Sequence, residues 1–166
     1  MKSERFEKLI VKNKYQVFLF TCPATIPFHI ARHPWFVMNK KGIVSRWEVF
    51  WSPSRNKTSW GHLHKDFFPP FQGIEMLFYP DTIYWPFVRL RGVVEGEEGS
   101  LAHRMADYIE ASASTYPYAH QYRLRGPNSN TYIQWILDKF PDSKLHLPWN
   151  AFGKGYTSVT QPSRHQ

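Results

Sequence analysis

Aromatic side chains are the feature of this sequence that most constrains its fold. Phe, Tyr and Trp make up 17% of the 166 residues, about twice the share found in an ordinary globular domain. Aromatic rings bury a large area per residue, so even a small sheet that carries them can be well stabilised. The length favours one domain. We therefore expect one packed domain over residues 1–156, followed by a loose polar tail at residues 157–166.

The charge of the chain says little about its partners. The formal net charge is +8, which makes anionic partners worth considering. The basic residues are dispersed and form no long basic run, so nucleic-acid binding is not expected.

One cysteine, Cys22, excludes an intrachain disulfide framework. The first twenty residues contain no uninterrupted apolar stretch, which argues against a signal peptide or a membrane span and favours a cytoplasmic protein. The oligomeric state stays open.

Runs of β-forming residues bounded by Pro and Gly predict an antiparallel sheet. The nearly continuous apolar run at residues 15–21 is typical of a central strand. Residues 33–38 and 43–51 flank a turn at residues 39–42, which predicts a hairpin. Two further strands are predicted at residues 61–65 and 89–96. The sheet is therefore expected to contain about five strands.

Two segments have the pattern of helices. Ser100 is placed to cap a helix over Leu101–Ala113 that has one apolar face. A second helix is predicted over Thr131–Phe140, where Pro141 stops it. Apolar residues nearly encircle this second helix, so we expect it to be buried at the centre of the domain. The predicted fold class is α+β, with the antiparallel sheet packed against these two main helices.

The segment before the second helix, residues 126–131, is polar and can cap it. A helix start also offers free backbone N–H groups and the positive end of the helix dipole. A nucleophile placed there has its anion stabilised, and neighbouring N–H groups can form an oxyanion hole. This segment is therefore either a plain cap or the tip of an active site.

The string Asn128-Ser129-x-x-Tyr132 resembles the Asn-Cys-x-x-Phe motif of circularly permuted papain-like proteins, which include the NlpC-type and lecithin-retinol-acyltransferase-like families. In those proteins a His-bearing strand comes first and the nucleophile helix follows in the second half of the chain. A helix and a Tyr-x-Tyr element precede the motif, as Tyr116-Pro117-Tyr118 does here. The resemblance implies a permuted papain-like (NlpC-type) architecture.

Within that group the chain is more similar to an uncharacterised bacterial family of unknown function, over about residues 15–156. The strings that carry this similarity are His33-Pro34-Trp35, Trp47-Glu48-Val49, Pro127-Asn128-Ser129-Asn130-Thr131 and Leu147-Pro148-Trp149-Asn150-Ala151-Phe152-Gly153-Lys154.

The resemblance implies a role for three residues. It places Ser129 at the nucleophile position and His33 at the position of the general base. The third, orienting residue belongs on the strand beside the His strand, where Glu48 stands, with His62 and His64 as alternatives. The residues expected to contact a ligand are Asn128, Asn130, Trp35, His62, Trp149 and Asn150.

Serine in place of cysteine leaves two functions open. A cysteine thiolate is accessible near neutral pH, whereas a serine hydroxyl needs a well-aligned base. The site is therefore either a hydrolase or acyltransferase site for an amide, ester or thioester, or a binding module for a peptide, lipid or acyl ligand. His62-x-His64 is the strongest candidate for a metal site, but no ligand cluster supports it. We expect neither a metal nor another cofactor.

Overall fold

The computed structural model describes residues 2–78 and 83–157. These residues form an α+β fold with one antiparallel sheet and three α-helices. The strands are β1 (Tyr15–Pro23), β2 (Arg32–Lys40), β3 (Ile43–Val49), β4 (Ser59–Trp60), β5 (Leu63–Lys65) and β6 (Arg89–Gly96). The helices are α1 (Lys2–Glu7), α2 (Leu101–Thr115) and α3 (Ser129–Lys139), and a 3-10 turn follows at Pro141–Ser143. The strand order is β4-β5-β3-β2-β1-β6.

The predicted strands and helices are confirmed, with shifted ends. The sheet has six strands because the two-residue strand β4 pairs with β5, and β3 ends at Val49, before the predicted end at residue 51. Helix α3 begins at Ser129, two residues before the predicted start, because Asn128 is its cap. Helix α1 was not predicted, because its six residues are mostly charged or polar and show no helical periodicity of apolar residues. The predicted tail lies, apart from Thr157, outside the described residues.

One face of the sheet packs against the two main helices. Val17 and Leu19 of β1 and Phe36 and Met38 of β2 point to this side. Helix α2 covers it with Met105, Ala106 and Ile109, and α3 covers it with Tyr132, Ile133 and Ile136. This is the core that the amphipathic pattern of the helices predicts.

The opposite face carries a second, mostly aromatic core. Phe18 and Phe20 of β1 and Trp35 of β2 point to this side, and the long segment between β5 and β6 covers them with Phe68, Phe71 and Ile74. Phe6 of α1 packs edge-on against Phe20, with ring centroids 5.0 Å apart. Every residue of β1 is consequently buried, which explains why its sequence is a nearly continuous apolar run instead of an alternating one.

The two cores leave one end of the sheet open. Strand β2 begins there at Arg32, and the amino terminus of α3 packs beside it, because the Asn130 side-chain amide donates to the Arg32 carbonyl at 3.0 Å. The loop at residues 150–153 joins the same contact region. Within residues 2–78 and 83–157, no helix has the length and apolarity needed to cross a membrane.

Candidate active site

The hairpin of β2 and β3 brings a histidine, a glutamate and an arginine together. Val37 lies opposite Arg46 in the register, and opposed residues point to the same face. Alternation along each strand then places His33, Glu48 and Arg46 on the aromatic side of the sheet. There His33 Nε2 lies 2.7 Å from Glu48 Oε2. Glu48 is therefore the partner of His33, as the sequence suggested.

A buried ion pair fixes Glu48. Arg46 Nη2 donates to Glu48 Oε2 at 2.8 Å, and Arg46 Nε lies 2.7 Å from Oε1. Both side chains are fully buried. Burial raises the pKa of Glu48, but attraction to Arg46 and the hydrogen bond to His33 outweigh it and leave this pKa below its usual value. Glu48 is therefore ionised at neutral pH.

The fixed charge of Glu48 decides the tautomer of His33. Burial lowers the pKa of His33 and outweighs the opposite effect of Glu48, so the imidazole is neutral. An ionised carboxylate can only accept a hydrogen bond, so Nε2 carries the single imidazole hydrogen. Nδ1 keeps its lone pair and has no hydrogen-bond partner within the described residues. The Nδ1 lone pair is thus available to accept a hydrogen bond.

Arg46 is held from three further directions. Its Nη1 donates to the backbone carbonyls of Pro69, at 2.9 Å, and Gln72. Its guanidinium lies 4.2 Å from the ring centroid of Trp35, close enough for a cation–π contact. Buried charges persist in proteins when they are paired and hydrogen-bonded. The linked side chains of His33, Glu48 and Arg46 meet that condition, and their contacts leave them little freedom to move.

Ser129 is the first residue of α3, and Asn128 caps this helix. The Asn128 Oδ1 atom accepts from the backbone N–H groups of Asn130 at 3.0 Å and Thr131 at 3.3 Å. In return, the Asn128 N–H donates to Thr131 Oγ1 at 3.1 Å, which completes a capping box. The prediction that this segment caps the helix is therefore confirmed. A cap formed by Asn128 leaves the Ser129 side chain free to contact a ligand.

The Ser129 hydroxyl is placed differently from a nucleophile that is already hydrogen-bonded to its general base. Burial raises the pKa of Tyr122 to about 12, and Ser129 lies close enough to this tyrosine to oppose that rise. No hydrogen bond joins Ser129 to His33 in the described part of the chain. The cap occupies the N–H groups of the next two residues, so the Ser129 N–H is the donor that α3 leaves without a partner among residues 2–78 and 83–157.

A cavity of about 820 Å³ connects Ser129 to His33. It lies beyond the end of β2, where it reaches both faces of the sheet. His33, Phe50 and Ile74 line it from the aromatic side, and Ser129 and Asn130 line it from the α3 side. The rest of the wall is mostly apolar, with the arginines Arg32 and Arg125 added. The volume is that of a small-molecule site.

The predicted binding residues divide into two groups. Asn128 and Asn130 line the cavity, but their amide groups bind protein backbone. Trp35, His62, Trp149 and Asn150 do not line it. Trp35 is buried beneath Arg46, and Trp149 is 78% exposed.

His62 and His64 do not join the candidate site. His62 Nδ1 lies 3.0 Å from the Phe50 carbonyl. The two ring nitrogens of His64 lie 2.7 Å from Ser59 Oγ and 2.8 Å from the Ser52 carbonyl. Within the described ranges, no group of three or more His, Cys, Asp or Glu side chains is placed to hold a metal ion. Of the three candidates for the orienting position, Glu48 is therefore the one that contacts His33.

Two residues of the candidate site, Arg46 and Tyr122, were not identified from the sequence. Arg46 stands two residues before Glu48 in β3, and this spacing puts both side chains on one face of the strand, which is a signal that the two charges can pair. Tyr122 lies in a polar loop, and no pattern in the sequence connects it with Ser129. The apolar wall of the cavity was also missed, because its residues come from five separate segments of the chain.

Comparison with known proteins gives one match. The family described as "Protein of unknown function (DUF3750)" matches residues 14–156. Neither a curated protein nor a solved structure matches the chain. The matched range covers both the strand that carries His33 and the helix that begins at Ser129, so the site described above lies entirely within it. The chain belongs to this family of proteins of unknown function, DUF3750.

Proposed function

We propose that the protein is a hydrolase or acyltransferase that acts on an ester, thioester or amide of an apolar acyl group. One observation carries the proposal: a neutral His33, oriented by the buried Glu48–Arg46 pair, lines the same cavity as the hydroxyl-bearing start of α3. Burying three ionisable groups costs free energy. Groups of this kind beside a cavity are more often functional than structural.

In the proposed reaction Ser129 is the nucleophile. His33 Nδ1 takes the hydroxyl proton as the Ser129 oxygen attacks the carbonyl carbon, and the new C–O bond makes a tetrahedral oxyanion. The free Ser129 N–H and the positive end of α3 stabilise that charge. Glu48 stabilises the imidazolium that forms. As the bond to the leaving group breaks, His33 returns the proton to it.

The acyl-enzyme is then released by the same groups. His33 removes a proton from water or from an acceptor alcohol, amine or thiol. That molecule attacks the acyl carbon, and the proton returns to the Ser129 oxygen. The proposal requires the Ser129 hydroxyl to turn from Tyr122 toward His33 when substrate binds. Catalytic hydrogen bonds are often long in a ligand-free site and shorten in the complex.

The chain order supports the proposal. A His-bearing strand precedes a helix that presents its first residue to the cavity, which is the order of permuted papain-like proteins. We propose that the domain shares this architecture, with serine in place of cysteine. The mostly apolar cavity wall favours a substrate with an apolar acyl chain over a charged peptide.

A binding module is the second candidate, and two observations favour it. No hydrogen bond joins Ser129 to His33 among the described residues, and Asn128 takes the N–H groups that would complete an oxyanion hole. In this case the cavity holds an acyl ligand, and the His33–Glu48 pair presents a hydrogen-bond acceptor to its polar end.

Labelling with a fluorophosphonate probe tests the enzyme against the binding module. The probe reacts with activated serine hydroxyls, so peptide mapping should find it on Ser129 in the wild-type protein. Ser129→Ala should abolish the label, and His33→Gln should reduce it by about two orders of magnitude, the usual contribution of a general base. Ser114→Ala, at an exposed serine of α2, is the matched control.

Binding of a fluorescent fatty acid completes the test. Saturable binding without fluorophosphonate labelling would reject the enzyme and favour the binding module. Labelling of Ser129 that is equally fast in the His33→Gln variant would also reject the proposed mechanism, because the base would then play no part.

A further inference from the structure

Exposed apolar side chains gather around the opening of the cavity. Large hydrophobic residues on a surface are ordinary when they are scattered, whereas a contiguous group marks an interaction surface. Here, those that line the opening or touch its edge are Phe28, Ile30, Phe78, Leu124, Phe152 and Trp149. Trp149 belongs to the group through Phe152, since their ring centroids are 6.3 Å apart.

Three loops supply most of this surface, and asparagine side chains fix them to one another. We call the three loops, residues 27–32, 123–125 and 149–152, the rim. Asn130 Nδ2 donates to the carbonyls of Arg32 at 3.0 Å and Phe152 at 2.9 Å. Asn150 Nδ2 donates to the Ile30 carbonyl at 2.7 Å. The apolar tips of the rim are therefore held in place without being buried.

The three stretches of sequence that contain the rim carry charge of one sign. The surrounding sequence, residues 24–33, 119–131 and 145–157, contains no Asp or Glu. It contains Arg32, Arg123, Arg125 and Lys154, and none of these forms an ion pair within the described part of the chain. Arg32 and Arg89 each lie near enough to Arg91 for their charges to act on it. The rim is both apolar and basic.

We propose that the rim docks on an anionic lipid bilayer, so that the cavity opens into the membrane surface. A tryptophan and aliphatic side chains next to arginines match the boundary between headgroups and acyl chains. Arginine attracts anionic headgroups, with each basic residue strengthening binding about fivefold. A bilayer also fits the cavity behind the rim, because an apolar ligand can enter it without crossing water.

Other partners fit these observations less well. A nucleic acid gains nothing from exposed Ile30 and Leu124 side chains. A second copy of the chain would bring another basic, acid-free surface against this one, and the two surfaces would repel each other. The inference does not depend on Ser129 being a nucleophile, since a binding module would receive its ligand by the same route.

Co-sedimentation with large unilamellar vesicles tests the proposal. The wild-type protein should bind vesicles that contain phosphatidylglycerol and bind pure phosphatidylcholine vesicles at least about fivefold more weakly. The double variant Trp149→Ser with Leu124→Ser should lower the partition coefficient by about tenfold or more, because both side chains would enter the bilayer. Both are exposed, by 78% and 63%, so the fold should be unchanged.

Matched controls separate the rim from general effects. Ile43→Ser removes an apolar side chain that is 75% exposed, but at the β2–β3 turn, at the other end of β2 from Arg32. It should leave vesicle binding unchanged. Arg123→Gln with Arg125→Gln should weaken binding more than Lys8→Gln with Lys57→Gln, which removes the same charge elsewhere. Ser129→Ala should bind vesicles as the wild type does, so loss of catalysis and loss of docking remain distinguishable.

Three results would overturn the proposal. The first is absence of binding to anionic vesicles. The second is an equal effect of the rim variant and the Ile43→Ser control. The third comes from sedimentation velocity: a wild-type dimer that the Trp149→Ser, Leu124→Ser variant dissociates would assign the rim to a second copy of the chain.

Discussion

His33 and Glu48 are joined by a 2.7 Å hydrogen bond beneath the cavity, and Arg46 holds the same carboxylate from its other side. The glutamate is therefore shared between an imidazole that lines the cavity and a guanidinium that does not. Such a carboxylate keeps one tautomer of the imidazole and keeps the charge of the arginine compensated. Both functions can be tested separately.

Glu48→Gln should destabilise the protein by about 3 to 5 kcal/mol, because it leaves the buried Arg46 charge without a partner. Urea unfolding followed by near-ultraviolet circular dichroism measures this loss. Arg46→Met combined with Glu48→Gln should recover part of it, since no unpaired charge remains. A loss below about 1 kcal/mol for the single variant would mean that the pair contributes little to folding.

Acid should destabilise the protein through His33. Burial lowers the pKa of His33, so the unfolded chain binds a proton at higher pH than the folded protein does. The stability that the neutral ring contributes is complete above the ordinary histidine pKa of 6.5. It is lost as the pH falls from there toward the folded pKa. His64 acts in the same direction, because burial also lowers its pKa.

His33→Gln should therefore flatten the plot of unfolding free energy against pH between about 7.5 and 5.5. His33→Gln with His64→Gln should flatten it further. Urea titrations at a series of pH values measure both slopes. Glu48 adds a separate loss only below its usual value of 4.5, since Arg46 and His33 outweigh burial and hold its pKa lower. An unchanged slope in both variants would contradict the buried neutral imidazoles.

Ser129→Cys should create a reactive thiol. At the first position of α3 the helix dipole lowers a thiol pKa, whereas burial raises the pKa of Cys22 to about 12. Iodoacetamide should therefore label position 129 before Cys22, as peptide mapping can show. His33→Gln in the same background should slow the labelling. Equal labelling rates at positions 22 and 129 would argue against a papain-like arrangement.

Alanine substitutions along the start of α3 should differ in cost. Asn128→Ala removes the cap and three bonds to the carbonyls of Arg123, Leu124 and Phe152, so we expect a loss of about 2 to 4 kcal/mol. Ser129→Ala should cost less than about 1 kcal/mol, because the side chain of Asn128, and not that of Ser129, caps α3. Urea unfolding of the two variants tests this order. Similar losses at both positions would contradict the assigned cap.

The sequence was sufficient for the elements that depend on local pattern. The hairpin of β2 and β3 follows from two β-forming runs around a turn, and its register then joins His33 to Glu48. Helix α2 follows from its apolar face and its Ser100 cap. For both, the decisive information lies within about twenty adjacent residues.

The remaining features depend on contacts between distant segments. The second core forms because the segment after β5 folds back across the sheet, and its composition of turn-formers predicts only a loop. The Tyr122–Ser129 contact and the cavity wall have the same origin. Trp149 and Asn150 were expected to contact a ligand because of their place in the family string, but neither lines the cavity. Trp149 is exposed, whereas Asn150 is buried and donates to the Ile30 carbonyl.

The asparagine contacts around the cavity end on backbone carbonyls and not on the side chains of the loops they hold. The path of each loop is consequently independent of the residue at its tip. Phe28, Ile30, Leu124 and Phe152 can be exchanged for larger, smaller or polar residues while the frame beneath them stays intact. Substitutions at those four positions alone should therefore change the size and polarity of the cavity opening, and the fold should tolerate many combinations of them.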